Sequence, residues 1–323
     1  MLISVVLPAY NVQDTIGESI DSILSQTFTD FELIIINDGS QDNTEEVILA
    51  YSDKRIRYYQ NEQNKGLIYT LNRGLDLAQG IYIARMDADD IALPTRFEKQ
   101  VKVMEENQDI VVCGTQIIPF GSERAKRFTL FLPEESEDLK NLLFIQTCFA
   151  HPTVMIRQQV LIDNEVRYDA DYPHAEDYKM WIDLSLLGEF YNIQEPLLRY
   201  RLSDGQVSSK YKNNQRCTAL ICRRLYISKR LRDSDLDRMI ELGVDVKTIR
   251  YIKQNRYPKQ LIELSYFSLA YYDLKSFLYL FVSGDFICFK FLTLLALINR
   301  FFVAKYKFCL LYTSPSPRDR QKS

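Results

Sequence analysis

Strand-like and helix-like patterns alternate along the first hundred residues, and this alternation limits the chain to a small set of folds. Ile3–Leu7 and Phe31–Ile36 are nearly continuous apolar runs, the pattern of strands buried on both faces. Between them, apolar residues of the segment 16–24 recur at the spacing of an amphipathic helix. Further strands are predicted near Ile56–Tyr59 and Ile81–Met86, again separated by a helix. This order indicates an α/β fold with a mostly parallel sheet and helices on both faces.

The pattern continues to a predicted boundary near residue 205. A helix is predicted after Pro94, a strand at Ile110–Ile118 and another helix at Asp177–Leu187. We therefore predict an α/β domain over 1–205, a helical C-terminal region over 206–312 and a tail over 313–323. The tail is polar, contains Pro and Ser, and is expected to be disordered. It also resembles a translated sequencing adapter, which would make it artefactual.

Polar residues cluster where the predicted strands end. The four loops are Pro8–Asn11, Asn37–Ser40, Asn61–Lys65 and Asp87–Asp90. In open α/β sheets, ligands bind outside the carboxyl ends of the strands. Four polar loops on one edge of the sheet therefore predict a nucleotide pocket.

The Asp87-Ala88-Asp89 triplet follows the fourth predicted strand. Alternate residues of an extended segment share a face, so both carboxylates can point the same way. Carboxylates alone would repel a nucleotide diphosphate, whereas a divalent cation between them would attract it. A second interpretation stays open, because Asp89 or Asp90 could instead cap the helix that follows Pro94. The position at a strand end favours a Mn²⁺ or Mg²⁺ site.

Two other residues of the pocket have both structural and functional interpretations. Asp38 lies in Asn-Asp-Gly-Ser, where its carboxylate could form an Asx-turn or accept a hydrogen bond from the N–H of a uracil ring. The two roles are compatible. Tyr10 could lie flat on a base or simply pack against its neighbours.

Glu176 and Asp177 begin the predicted helix that ends near residue 187. A carboxylate at a helix N-terminus is commonly a cap or a partner of the helix dipole. A transfer reaction, however, needs a base that takes a proton from the acceptor hydroxyl. The chain offers few other candidates for that base.

Charge and composition limit the partners of the chain. A net charge of −3 argues against nucleic-acid binding. Basic residues outnumber acidic ones by 14 to five over 210–259. That excess is either a solvated helical face or a surface that attracts an anionic membrane or a lipid-phosphate acceptor.

The expected location is cytoplasmic, with the inner face of the cell membrane as the place of any peripheral contact. The six cysteines have no ligand spacing and fit a reducing compartment. The chain begins directly with a predicted strand rather than with a basic leader. Every long apolar window in the segment 261–312 contains charge, so a transmembrane helix is not expected and packed or interfacial helices are the two alternatives.

Five segments of the chain, in this order, resemble bacterial-type family 2 glycosyltransferases, whose GT-A fold is Rossmann-like. The matching segments are Ser4–Asn11, Asn37–Ser40, Asn61–Leu67, Asp87–Asp90 and Glu176–Asp177. Each motif alone is unspecific, but the ordered set is specific and spans residues 3 to about 205. The resemblance implies transfer of a sugar from a nucleotide-sugar, with a UDP-sugar as the favoured donor. It also implies inversion at the anomeric carbon.

The resemblance also implies roles for individual residues. The nucleotide-binding residues would be Pro8, Ala9, Tyr10, Asn11, Asp38, Asn64, Asp87, Ala88 and Arg201. Asp89 would bind the Mn²⁺ or Mg²⁺ ion. Asp177 would be the catalytic base, with Glu176 beside it. The acceptor would be a glycan or a lipid-linked sugar, as in the synthesis of surface polysaccharides.

Two rival functions are compatible with an α/β domain. A sugar-nucleotide pyrophosphorylase-like nucleotidyltransferase would be expected to have a glycine-rich phosphate loop after the first strand, where this chain has Pro8–Asn11. A non-catalytic nucleotide-sugar-binding protein would not need both Asp89 and Asp177. The sequence therefore favours a metal-dependent glycosyltransferase over both.

Overall fold

A computed structural model of the protein describes residues 1–202 except 124, 129, 144 and 145. Beyond residue 202 the described positions are 215, 217–219, 221–223, 225, 226 and 229, and all of them are helical. The predicted tail 313–323 lies outside the described residues. So does the predicted region 206–312, apart from those positions. The predicted boundary near residue 205 stays a prediction.

Strands and helices follow one another as the sequence pattern predicts. The strands are β1 (Ile3–Ala9), β2 (Phe31–Asn37), β3 (Ile56–Gln60), β4 (Tyr82–Arg85), β5 (Ile91–Ala92), β6 (Ile110–Phe120), β7 (Met155–Arg157) and β8 (Glu189–Arg201). The helices are α1 (Ile16–Leu24), α2 (Thr44–Leu49), α3 (Leu67–Leu77), α4 (Arg96–Glu106), α5 (Ser136–Leu142), α6 (Gln158–Asp163) and α7 (Glu176–Leu184).

The strands of the described residues form one eight-stranded sheet in the order β3-β2-β1-β4-β7-β6-β8-β5. β3, β2, β1 and β4 pair in parallel, as do β6 and β8. The short strand β7 is antiparallel to both β4 and β6, and β5 is antiparallel to β8. The predicted α/β fold, with a mostly parallel sheet and helices on both faces, is confirmed.

Apolar packing on both faces of β1 holds the sheet at the centre of the protein. Every residue of β1 is buried. Val6 packs in one core cluster with Leu71 of α3, whereas Val5 packs in another with Ile20 of α1. Removing such a side chain from water contributes about 1.5–3 kcal/mol. The continuous apolar run of β1 thus reflects two cores, one on each face of the sheet.

Helix α3 approaches β1 closely because it carries a glycine at the contact. A Cβ added to Gly74 would lie 2.3 Å from Cγ1 of Val6. A glycine inside a helix costs about 1 kcal/mol relative to alanine. The close contact between α3 and the sheet offsets that cost.

The pattern does not predict β8 or the short elements β5, β7, α5 and α6. Pro196 lies inside β8, and a proline within an apolar run argues against an interior strand. In the structure Pro196 pairs with Gln116 of β6, where the register between β6 and β8 shifts on both sides of Gln116. A proline is tolerated at such a bulge because the regular ladder is already interrupted there.

Helix α7 is shorter than the predicted span of 177–187. It begins at Glu176 and ends at Leu184. Beyond that point, the backbone N–H of Leu186 donates to the carbonyl oxygen of Asp183, and that of Leu187 to Leu184. These bonds span three residues rather than four, so the helix tightens into turns before Gly188.

The membrane predictions concern a part of the chain that the structure barely describes. Among the described residues, no helix combines the length and the apolar character that crossing a bilayer requires. The predicted peripheral contact through 206–312 falls outside the described residues, apart from the helical positions up to 229.

A buried polar network around Glu32 closes the edge of the sheet at the amino ends of the strands. Glu32 is 2% exposed and forms an ion pair with Arg57. Its Oε1 accepts hydrogen bonds from Ser4 Oγ at 2.5 Å and from the backbone N–H of Gln79 at 3.0 Å. Ser4 Oγ in turn accepts one from the N–H of Gly80 at 2.8 Å. The network joins β1 and β2 to the turn between α3 and β4.

We predict that Glu32→Gln lowers the free energy of unfolding by about 1–3 kcal/mol, because Arg57 loses its charged partner and a buried acceptor becomes a donor. Urea denaturation with an unchanged m-value measures the loss. The exposed Glu62 is the control, and Glu62→Gln is expected to change stability by less than about 0.5 kcal/mol. Equal effects of the two substitutions would contradict a stabilising role for this network.

Candidate functional site

Backbone hydrogen bonds join the loops at the carboxyl ends of the strands into one rim. The N–H of Asp38 donates to the carbonyl oxygen of Ala9 at 2.8 Å, and the N–H of Asn61 donates to that of Asn37 at 2.8 Å. The loops after β1, β2 and β3 therefore lie side by side in the same order as the strands that they follow. Pro8 and Ala9 are buried beneath this rim.

Asp38 holds the loop 61–66 against the end of β2. Its Oδ1 accepts hydrogen bonds from Asn61 Nδ2 at 2.7 Å and from the N–H of Lys65 at 2.9 Å. Its Oδ2 accepts one from the N–H of Gly66 at 2.9 Å, and that N–H is shared with Asn64 Oδ1 at 3.0 Å. A carboxylate has about four accepting positions. Asp38 thus organises the loop and keeps capacity on Oδ2 for a donor from a ligand.

Asn11 and Ser40 connect the first two rim loops. The N–H of Asn11 donates to Ser40 Oγ at 3.0 Å, and Asn11 Oδ1 accepts from the N–H of Gln41 at 2.8 Å. Asn11 has a φ of 49°, in the left-handed region that asparagine tolerates better than most residues. Tyr10 precedes it and is half-buried.

The turn after β4 brings three carboxylates together. One ligand atom each from Asp87, Asp89 and Asp90 lies within 4.8 Å of the others, and all three residues are buried. Helix α1 and the residue before it, Thr15, support this acidic turn, defined as residues 87–90. Thr15 Oγ1 donates to the carbonyl oxygen of Ala88 at 3.1 Å, and Ser19 Oγ donates to that of Asp90 at 2.6 Å. Converging carboxylate oxygens are the ligand set that Mg²⁺ and Mn²⁺ prefer.

Two buried arginines supply positive charge next to the acidic turn. Arg85, at the end of β4, is 2% exposed and forms an ion pair with Asp87, which is 1% exposed. Arg96 of α4 is fully buried and donates from Nη2 to the carbonyl oxygen of Arg85 at 2.9 Å. Neither arginine was predicted. Their positions within an ordinary strand and helix pattern carry no signal of a nearby carboxylate.

Burial sets the protonation of this charge cluster. Burial raises the pKa of Asp90 well above its ordinary value, and the negative charge of Asp87 adds to the shift. Burial, together with the positive charge of Arg85, lowers the pKa of Arg96 to about 9, which leaves its guanidinium charged at neutral pH. Crowded carboxylates repel one another, so the cluster favours either a proton on Asp90 or a cation among the three.

Arg201, at the end of β8, holds the acidic turn from the other side. Its N–H donates to Asp90 Oδ1 at 2.8 Å, and its Nε donates to the carbonyl oxygen of Asp89 at 2.7 Å. Its guanidinium also pairs with Glu18 and lies 4.4 Å from the ring centre of Phe120. Sequence motifs alone do not predict this bracing contact. The predicted binding of a nucleotide by Arg201 stays a prediction.

Glu176 and Asp177 lie at the start of α7, and both are buried. Two buried thiols lie near Asp177. Burial raises the pKa of Cys148 well above its ordinary value and that of Cys222 to about 12, and the negative charge of Asp177 contributes to both shifts. Both thiols therefore stay protonated at neutral pH. The roles predicted for Glu176 and Asp177 stay predictions.

Residues beyond 202 also pack beside the start of α7. Cys222 Sγ donates weakly to the carbonyl oxygen of Ala175 at 3.9 Å, and Gln215 Nε2 donates to that of His174 at 3.4 Å. Cys222 and Tyr226 belong to the same core cluster as Trp181 of α7. Gln215, Cys222 and Tyr226 of the C-terminal region thus pack against α7 or the residues just before it, which the sequence pattern does not predict.

Comparison with known proteins gives a consistent result. The model of the family described as Glycosyl transferase family 2 matches residues 4–164. An uncharacterised glycosyltransferase of Haemophilus influenzae is 36% identical over 289 residues, which is 86% of this chain and 90% of that protein. The UDP-Glc:alpha-D-GlcNAc-diphosphoundecaprenol beta-1,3-glucosyltransferase WfgD of Escherichia coli is 31% identical over 219 residues, 67% of this chain and 83% of WfgD.

The fold resembles that of a solved glycosyltransferase structure. The crystal structure of S. aureus TarS 1–349 in complex with UDP-GlcNAc matches with a TM-score of 0.60 and 17% identity, covering 88% of this chain and 91% of that one. At this identity the likeness concerns the fold alone. The predicted GT-A architecture and the predicted family resemblance are both confirmed.

Gly39 and Gly66 provide a matched test of the contact between Asp38 and its loop. Both have positive φ, at 70° and 88°. A Cβ on Gly39 would lie 2.6 Å from the backbone carbon of Gln63, whereas a Cβ on Gly66 would meet nothing within 4 Å. Gly66→Ala is expected to cost about 1–3 kcal/mol, because a φ of 88° with a ψ of 161° lies in a region that essentially only glycine adopts. Gly39→Ala is expected to cost about 2–5 kcal/mol, because it also displaces the loop 61–66.

Denaturant unfolding of the two variants measures this difference. Equal losses of stability at Gly39 and Gly66 would mean that the loop is not held tightly against Asp38.

Proposed function

This chain belongs to glycosyl transferase family 2, and on that premise we propose that it transfers a sugar from a UDP-sugar to a hydroxyl group of a glycan or lipid-linked acceptor. The observation that carries the proposal is the convergence of Asp87, Asp89 and Asp90 at the carboxyl ends of the strands. Carboxylates that share a site repel one another, and a cation among them removes that repulsion. The cluster suits a cation that bridges to a diphosphate.

The rim formed by the loops after β1, β2 and β3 would bind the uridine. Tyr10 offers an aromatic surface to the base. Asp38 offers Oδ2 as an acceptor for the N–H of uracil, since Oδ1 already accepts two hydrogen bonds. Pro8, Ala9, Asn11 and Asn64 would shape the same pocket through their backbone and side chains. Because Asp38 is held by the loop 61–66, this part of the pocket is organised before the donor arrives.

The acidic turn would bind the ribose and the diphosphate. Asp87 and Ala88 would contact the ribose region, and Asp89 would hold a Mn²⁺ or Mg²⁺ ion. The ion would neutralise charge on the departing diphosphate. Arg201 would keep the turn in place through its hydrogen bonds to Asp89 and Asp90, and its guanidinium would add positive charge on the same side. The positive charges of the cation and of the Arg201 guanidinium would both favour departure of UDP.

The transfer itself would be a single displacement with inversion. Asp177 would take the proton of the acceptor hydroxyl, while the oxygen of that hydroxyl forms a bond to the anomeric carbon. The bond between that carbon and the diphosphate oxygen breaks on the opposite face, and UDP leaves with the electron pair. Glu176 would orient a hydroxyl of the donor or acceptor. Burial of Asp177 limits water access to this base.

The proposed acceptor has support from a relative. By its name, WfgD transfers glucose from UDP-glucose to a sugar linked to diphosphoundecaprenol. A similar acceptor would place the reaction of this chain in surface polysaccharide synthesis, at the inner face of the cell membrane. The basic segment 210–259 would then lie near anionic lipid.

A panel of nucleotide-sugars tests the proposed donor. We expect UDP-sugars with Mn²⁺ to raise the unfolding temperature, because a ligand at 100 times its Kd stabilises by about 2.7 kcal/mol. EDTA should remove most of this effect. Incubation with the stabilising donor and acceptor should release UDP, whereas release of pyrophosphate would indicate a nucleotidyltransferase. A chain that no UDP-sugar stabilises, with or without metal, would overturn the proposed donor.

The role of Asp177 can be tested within one helix. Asp177→Asn is expected to lower turnover by about 10²–10⁴-fold, because it removes the base but little else. UDP binding, measured by calorimetry, should change by less than about twofold. Asp183 of the same helix pairs with Lys179 and Lys229 and serves as the control, so Asp183→Asn should leave turnover nearly unchanged. Near-normal turnover of Asp177→Asn would exclude Asp177 as the base.

A further inference from the structure

Arg85 carries a buried charge whose contacts differ from those of a structural arginine. Arg96 nearby donates to Gln100 Oε1, Met86 Sδ and the carbonyl oxygen of Arg85, so each of its side-chain nitrogens braces the protein. In the part of the chain that the structure describes, Nε and Nη1 of Arg85 have no hydrogen-bond partner. The guanidinium instead forms its ion pair with Asp87. Its position is therefore explained by that carboxylate rather than by bracing.

We propose that Arg85 is a positioning residue of the donor site, whose guanidinium fixes the carboxylate of Asp87 so that the acidic turn is ready for a cation and a nucleoside diphosphate. The inference rests on the function proposed above. The charged contact of Arg85 is with Asp87, and the side-chain polar atoms of both residues are buried. Arg85 would act through Asp87.

The backbone of Arg85 gives this contact a rigid origin. Arg85 pairs with Val6 of β1, its N–H donates to the carbonyl oxygen of Val154 at 3.0 Å, and its carbonyl oxygen accepts from Arg96. Asp87 lies two residues later, in the turn beyond the strand. The ion pair therefore links the side chain of Asp87, in the acidic turn, to the end of β4.

The electrostatics of the turn explain why such a link is needed. Three carboxylates within 4.8 Å of one another repel, and burial strengthens the repulsion. Within the described residues, neither side-chain oxygen of Asp87 accepts a hydrogen bond, so nothing else of that kind restrains it. An isolated buried carboxylate is costly and is stabilised by an opposite charge beside it. Arg85 supplies that charge and keeps Asp87 in place.

A double-mutant cycle on UDP binding tests the proposal. The variants are Arg85→Met, Asp87→Asn and the combination, and calorimetry measures the Kd of UDP at a fixed Mn²⁺ concentration. We expect Arg85→Met to weaken UDP binding by about tenfold or more, since it releases Asp87. In the Asp87→Asn background the same change should weaken it by less than about twofold. Additive losses would overturn the proposal, because they would mean that Arg85 does not act through Asp87.

Substitution of a second arginine, Arg57, distinguishes a positioning role of Arg85 from a general effect on stability. Arg57 also pairs with a buried carboxylate of the same sheet, Glu32, but at the opposite edge. Arg57→Met is expected to lower the unfolding temperature while the Kd of UDP stays within about twofold of the wild type. A loss of UDP affinity in Arg57→Met equal to that in Arg85→Met would also overturn the proposal.

A second substitution covers the case in which Arg85→Met does not fold. Arg85→Lys keeps a positive charge but cannot reproduce the planar guanidinium. A loss of UDP affinity that disappears in the Asp87→Asn background supports the proposal. An unchanged affinity, or a loss that persists in that background, overturns it.

If wild-type protein binds no UDP with Mn²⁺, the proposed donor fails and this inference fails with it. If wild-type protein binds and the cycle is additive, the role of Arg85 alone fails.

Discussion

Parallel pairing of β1 with β2 and β4 is the constraint on which the site depends. Parallel strands end at the same edge of a sheet, so residues 10, 38 and 87 arrive at one rim although they are far apart in sequence. The ladder is stable because β1 is buried on both faces, between the core that contains Val6 and the core that contains Val5. The position of the polar rim thus depends on apolar packing at the centre of the sheet.

The acidic turn on that rim concentrates three buried carboxylates. Asp87, Asp89 and Asp90 repel one another, and two buried arginines reduce the repulsion without removing it. At the opposite edge, the buried Glu32 accepts hydrogen bonds and an ion pair, so its charge is well satisfied. The contrast is physical. One cluster is complete within the protein, and the other would be completed by the proposed cation and diphosphate.

The prediction of local elements succeeded where a pattern was strong and failed where contacts between distant segments override it. β1, β2 and α1 have continuous or periodic apolar residues, and the structure has them within a residue or two of the predicted bounds. β8 carries Pro196, which lies where extra residues of β8 interrupt its regular pairing with β6. The last residues of the helix predicted up to 187 tighten into turns, which apolar spacing does not reveal.

The sequence by itself determined the class of fold and the loops that carry the site, because apolar periodicity and polar strand ends are local properties. It also carried the motifs that identify the family. The tertiary structure alone decided the partners of those residues. Asp38 turned out to hold the loop 61–66, Arg201 to brace the acidic turn, and Arg85 to pair with Asp87. Such pairings depend on which strands lie side by side and on how deeply each charge is buried, and neither is written in any short segment of the chain.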